Sequence, residues 1–166
     1  MWARPLTEVS GSQQRTHGPH VDVRPAADVD VDVLDRYRLV VLGSAVYLRR
    51  WQPDAVRFLR RHAAQLRSRD VALFQSGPCG PDAAKPDQPE PARVRRLREA
   101  VGADSPVTFG GVLDPATARG PVARWMARGA LAGDFRDQDR IRRWASAIGS
   151  GVTGGALTYP QPSKET

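Results

Sequence analysis

At 166 residues, with 40% hydrophobic and 26% charged residues, the chain has the balance of one globular domain with a full core, which excludes a disordered or fibrous protein. Its single cysteine, Cys79, excludes an internal disulfide and a cysteine-cluster metal site, and no run approaches the ~18 apolar residues a membrane-spanning helix needs. The net charge of +7 invites nucleic acid, yet all but two of the 25 basic residues are arginines, scattered over several helical patterns rather than gathered in one segment. A solvated arginine-rich surface is therefore the expectation and nucleic-acid binding is not, although such a surface also favours anionic membranes or substrates.

Residues 1–17 are polar and without apolar periodicity, so the reading is a disordered or atypical N-terminal segment. They lack the apolar core of a signal peptide, and a cytoplasmic protein is expected. One domain should span residues 18–149, with a flexible tail over 150–166. His20 to Arg24 alternates like a short edge strand. Asp28, Asp30, Asp32 and Asp35 follow without the spacing of a metal site, and His17, His20 and His62 have no ligand spacing either. Leu39 to Leu42 is an unbroken apolar run, the mark of a strand buried on both faces, and Gly43 would let the chain turn sharply at its carboxyl end. Pro53 suits the first position of a helix over 53–67 that turns Val56, Leu59, Ala63 and Leu66 inward and leaves His62 at the surface.

Val71 to Phe74 reads as a second buried strand, ending in Gln75-Ser76-Gly77-Pro78, and the proline-rich stretch 77–91 as a loop. Val94, Leu97 and Val101 mark a short helix. Val107 to Leu113 is a third strand, its Gly110-Gly111 pair indicating a bulge or a close approach of two backbones. Two helices follow, one over 120–131 with Val122, Trp125, Met126 and Leu131 inward, one over 137–149 with Ile141, Trp144 and Ile148 inward. Trp125 and Trp144 are both expected in the core. Strands alternating with helices at this pitch give the α/β class, a parallel sheet whose ligands bind beyond the carboxyl ends of its strands.

The segments GSAVY (Gly43–Tyr47), Trp51, RRHAAQLR, FQSGPCG (Phe74–Gly80), GGVLD (Gly110–Asp114) and GDFRDQDRIRRWASAI, taken in that order, resemble the flavodoxin-domain proteins. The most similar variety is the menaquinone-dependent protoporphyrinogen IX dehydrogenase group, and the resemblance covers roughly residues 18–149. It implies a flavodoxin-like three-layer sandwich with a parallel sheet of order 2-1-3-4-5, and FMN at the switch point that all sheets of that order share. It further implies that main-chain groups of Gly43, Ser44, Ala45, Val46 and Tyr47 line one side of the flavin ring, with Tyr47 or Trp51 flanking its face. Ser76, Gly77 and Pro78 would meet the other edge.

The first strand of that order is absent or atypical here. MWARPLTEVSGSQQRT stands where the family has an apolar strand and a hydroxyl-rich phosphate loop, which points to an altered start of the coding sequence. Thr7, Ser10, Gly11, Ser12 and Thr16 supply phosphate-loop residue types without a strand before them. Arg49 occupies a position that relatives commonly give to glycine. If the protein is an enzyme, the resemblance implies an FMN-dependent oxidoreductase or electron carrier, with a small redox substrate such as a porphyrinogen or quinone and peripheral membrane contact. The alternative is a flavodoxin-like domain that no longer binds FMN and serves as a structural or binding module.

Overall fold

The computed structural model describes residues 21–77, 79, 80, 83, 88–114, 116, 124, 125, 127 and 131–150. Three parallel strands form its spine: β1 (Leu39–Tyr47), β3 (Asp70–Ser76) and β4 (Val107–Phe109). A two-residue strand, β2 (Arg50–Trp51), folds back antiparallel on the end of β1, giving the sheet order β2–β1–β3–β4. The β1–β3 ladder is unbroken from Leu39 opposite Asp70 to Ala45 opposite Ser76. Parallel neighbours require a crossover, which α2 (Pro53–Arg61) and α3 (Ala63–Leu66) supply between β1 and β3, and α4 (Ala92–Val101) between β3 and β4. Before β1 lie a 3-10 turn (Ala26–Asp28) and α1 (Val31–Leu34); α5 (Gln138–Ser150) comes last. The architecture is α/β with a mostly parallel sheet, as the alternating pattern required.

The helices are placed by their apolar stripes. Pro53, at the first position of α2, loses an N–H that would have no partner there, and Ala55, Val56, Phe58 and Leu59 turn inward. At α4 the stop is Gly102, whose φ of 75° closes the helix while its N–H donates to the Glu99 carbonyl. Beneath α2, α3 and α4 lies the larger core, which includes Leu42, Trp51, Leu59, Leu66 and Val94. Leu59 and Leu66 are wholly buried, each worth about 2 kcal/mol of hydrophobic stabilisation. On the other face α5 sets Trp144 and Ile148 against Ala72 and Phe109. The Trp144 ring meets Phe74 and Phe109 nearly edge-on at 5.6 and 5.5 Å, a geometry aromatic quadrupoles favour.

Several expectations change. Residues 21–24 form no strand: Val21 and Val23 are both exposed, and Asp22 pairs with Arg24 and accepts from the Tyr37 hydroxyl. The strand expected over 39–42 continues to Tyr47 and is covered on one face more than on the other. Val41 is 44% exposed, because the apolar residues packed around α5 include Leu39, Phe74 and Val107 and leave Val41 outside. Gly43 lies within β1 and makes no turn; a Cβ there would sit 2.0 Å from the Phe74 ring, so glycine makes room for that ring. The strand expected over Val107–Leu113 splits in two. A Cβ on Gly110 would lie 1.9 Å from the Phe135 carbonyl oxygen, so the glycine pair marks a close backbone approach. Beyond it, β5 (Val112–Leu113) leaves the main sheet to pair with β6 (Gly133–Asp134).

His62 is buried, not at the surface, and Trp125 is 75% exposed instead of packed in the core. The helix expected over 53–67 is interrupted at His62, whose ψ of 18° departs from helical geometry. Most of the helix expected over 120–131 lies outside the described residues, as do 1–17 and the tail beyond Ser150.

Candidate functional site

The carboxyl ends of β1, β3 and β4 meet along one edge. Ala45 is in register with Ser76, and Ser76 with Phe109. The Gly77 N–H donates to the Phe109 carbonyl at 3.4 Å. A Cβ on Gly77 would fall 2.8 Å from the Val46 carbonyl oxygen, and one on Gly111 3.2 Å from the Cys79 sulfur. Main chain therefore packs against main chain, which only glycine permits. The result is an edge floored by Ala45, Gly77 and Gly111, with the Tyr47 ring standing 45% exposed beside it.

A neutral clamp holds the ends of β2, β3 and β4 together. Gln75, 1% exposed, accepts from the Trp51 indole N–H at 3.0 Å and donates to Thr108 Oγ1 at 3.0 Å and to the Gln88 carbonyl at 3.2 Å. One buried amide thus ties β2, β4 and the end of the loop after β3. Burying an amide is costly unless its hydrogen bonds are met, and here three are. Ser44 acts next to it: its buried hydroxyl accepts from the Gln52 N–H at 2.9 Å, fixing the entry to α2, and donates to the Ala45 carbonyl.

The β1–β2 hairpin turns through Leu48 and Arg49, with φ of 48° and 59°. Two consecutive left-handed residues are what a two-residue hairpin demands, and glycine or asparagine normally supplies them. The glycine that the resemblance leads one to expect at position 49 would take this conformation without strain, and Arg49 does not. The strain is held at the rim of the edge, where Leu48 is 76% exposed.

The edge is chemically quiet. Cys79 is half-buried, and burial pushes its thiol pKa up, away from the reactive thiolate. At the β6 turn Asp134 is held at a pKa of about 2, chiefly by its hydrogen bonds to the Arg136 guanidinium and then to the Arg136 N–H, with direct charge attraction adding less. Arg140 lies over the Phe109 ring at 5.7 Å. Among the described residues no group of three His, Cys, Asp or Glu side chains is placed to hold a metal. What the edge offers is main-chain polar atoms, small residues and one open phenol. That suits a flat heteroaromatic ligand that brings its own chemistry.

Of the nine residues singled out from the sequence, five stand at this edge: Ala45, Val46, Tyr47, Ser76 and Gly77. Gly43, Ser44 and Trp51 serve packing, against Phe74, Gln52 and Gln75 respectively. Trp51 is 4% exposed with its N–H satisfied, so it has no open face to flank a ring, and of the two aromatics only Tyr47 does. Pro78 lies outside the described residues. Sequence reasoning gave no role to the Gln75 and Thr108 side chains, and read Gly111 only as half of a glycine pair marking a bulge or a close approach. The signal for Gln75 was its place: a polar residue closing the buried run Val71–Phe74 has to find partners inside.

A family model described as the flavodoxin domain matches residues 7–114. The matched span takes in β1 to β5 and the four helices between α1 and α4, and with them every residue of the edge just described. No curated protein and no solved structure matches the chain. With well over half of its 166 residues matched, and with a parallel sheet, crossover helices and a glycine-lined carboxyl edge in place, the chain belongs to the flavodoxin-domain family.

Proposed function

We propose that the chain is an FMN-binding flavoprotein serving electron transfer or oxidoreduction, with the isoalloxazine ring at the carboxyl edge of β1, β3 and β4. The observation that carries this reading is the convergence of Ala45–Tyr47, Ser76–Gly77 and Gly111 on one edge with small side chains and an exposed Tyr47. These residues fit the ring end of FMN. Ala45 is exposed at the strand end, Gly77 and Gly111 let the neighbouring backbones close up behind it, and Tyr47 is placed to flank a flat ligand. The phosphate end would fall to the matched residues before Val21, which lie outside the described residues. Bound flavin supplies the redox chemistry; the protein contributes orientation, main-chain dipoles and exclusion of water.

In finer detail, the resemblance to the menaquinone-dependent group supports a reduced organic donor, porphyrinogen-like, and a quinone-like acceptor. A second reading, a flavin-free binding or structural module, is favoured by one observation: Gly43, Ser44 and Trp51 are already engaged in packing.

Titration of the purified protein with FMN separates the two. The first reading expects a yellow complex, quenched flavin fluorescence and a melting temperature that climbs with FMN concentration. It also expects Tyr47→Ala to weaken binding about fivefold without lowering the stability of the free protein, since a ring contact is worth about 1 kcal/mol. A protein that stays colourless and whose melting temperature ignores FMN would establish the second.

A further inference from the structure

The charge of this protein is not spread evenly. Residues 53–67 and 92–101, which hold α2, α3, α4 and the Arg67 that follows α3, carry eight arginines (Arg57, Arg60, Arg61, Arg67, Arg93, Arg95, Arg96 and Arg98) against two carboxylates, Asp54 and Glu99. The rest of the chain has seventeen basic residues against sixteen acidic, close to neutral. Six of the seven net positive charges therefore sit on 25 residues. In sequence these arginines look scattered. The fold gathers them, because α2 and α3 both pack against α4 in a single layer whose apolar side faces the sheet.

Internal pairing does not use them up. Arg57 pairs with Asp54, Arg98 with Glu90, and Arg67 donates to the Ala100 carbonyl. Arg60, Arg61, Arg93, Arg95 and Arg96 are all exposed and make no ion pair among the described residues. The layer also works against its own helix dipole. The first turn of α4 holds no acidic residue, and Arg93, Arg95 and Arg96 crowd its positive end. A local rule broken with no internal compensation marks a candidate functional surface.

From this we infer that the outer face of α2–α3–α4 lies against an anionic lipid bilayer, by charge and without insertion. A bilayer is favoured over nucleic acid by the form of the face. Its cations are dispersed over two neighbouring helices, with no large exposed apolar or aromatic side chain among them to stack on a base. The same lack of exposed apolar residues means that the face rests on headgroups instead of burying a stripe among acyl chains. No described helix is long and apolar enough to cross a membrane, which suits surface attachment. The inference stands on charge and packing and holds whether or not FMN binds.

The test is co-sedimentation of the full chain with phosphatidylcholine vesicles, with and without phosphatidylglycerol, as salt is raised. Binding is expected only with the anionic lipid, and it should fade as the Debye length shrinks from about 10 Å at 0.1 M salt. Each basic residue near such a surface multiplies the binding constant about fivefold, so Arg93→Gln with Arg96→Gln should lower it ~25-fold. The matched pair Arg36→Gln with Arg143→Gln, also exposed but on other elements, should change it less than about twofold. Melting curves confirm that both pairs fold, and the salt and lipid arms need no variant at all. Absence of binding to the anionic vesicles at low salt overturns the inference. So does an equal loss in both pairs, or tighter binding to duplex DNA, RNA or polyglutamate than to the vesicles.

Discussion

The two ends of the parallel sheet are tied down by different chemistry. At the amino end the tie is ionic. Arg69, just before β3, donates to the carbonyls of Leu34, Tyr37 and Gln65 and pairs with Asp35, binding the approach to β1 to the end of α3. His62, buried where α2 gives way to α3 beside the 3-10 turn, lies on the same side. At the carboxyl end the interior tie is the neutral Gln75 amide, with Trp51, Thr108 and Gln88 as partners. A neutral clamp adds no charge of its own beneath the edge where a redox ligand would sit, and it does not titrate. Precise positioning is bought at one end without a field, while the other end is left to respond to pH.

The largest effect should come from cutting the neutral clamp. Gln75→Leu leaves the Trp51 N–H and the Thr108 and Gln88 oxygens without their partner in the interior, at a cost of about 3 kcal/mol, since each orphaned group costs about 1–3 kcal/mol. Urea unfolding measures this. Because Trp51 would lose its anchor, FMN affinity should fall in the same variant. A stability loss with FMN affinity unchanged would separate the clamp from the site.

Arg69→Ala should cost less, about 1–2 kcal/mol, because its carboxylate partner is largely exposed and water recovers part of what is lost. It removes three carbonyl caps at the end remote from Tyr47, so FMN affinity in the folded variant should match the parent. If both variants lower FMN affinity alike, the two ends are one cooperative unit and the contrast drawn above fails.

The same contrast marks what the sequence could disclose. The apolar run at Leu39–Leu42, the stripe of α5 and the Gly110-Gly111 approach are local patterns, and each produced the expected element or contact. Gln75, Arg69 and His62 owe their roles to partners about thirty residues away or on other elements, which periodicity does not register. His62 was nonetheless within reach. It continues the inward series Ala55, Phe58, Leu59, Leu66, spaced by three and four, once that series replaces the one centred on Val56 and Ala63. Val41 and Trp125 failed for the opposite reason. Both are apolar in composition, but cover depends on what packs above them, and the cluster around α5 takes in Leu39 of β1 without reaching Val41.

The smallest effect expected is a pH dependence, and it tests whether the buried imidazole of His62 is the group that responds to pH. Burial, reinforced by the neighbouring Arg61 charge, lowers the His62 pKa from 6.5; the Val29 carbonyl and Asp30 work the other way without reversing it. In the unfolded chain the imidazole takes a proton at its ordinary value, so below about pH 6.5 the unfolded state binds protons that the folded state refuses. Stability should be full above that pH, decline as pH falls, and level off once the folded pKa has been passed. Asp134, held at about 2, cannot produce a slope in this range, because its contribution is lost only below the ordinary 3.8 of the unfolded carboxylate. Urea midpoints between pH 7 and 5 should therefore slope in the parent and flatten in His62→Leu, a change that fills the same buried space without a titrating ring. A slope that survives in that variant would mean that a group other than His62 takes up the proton.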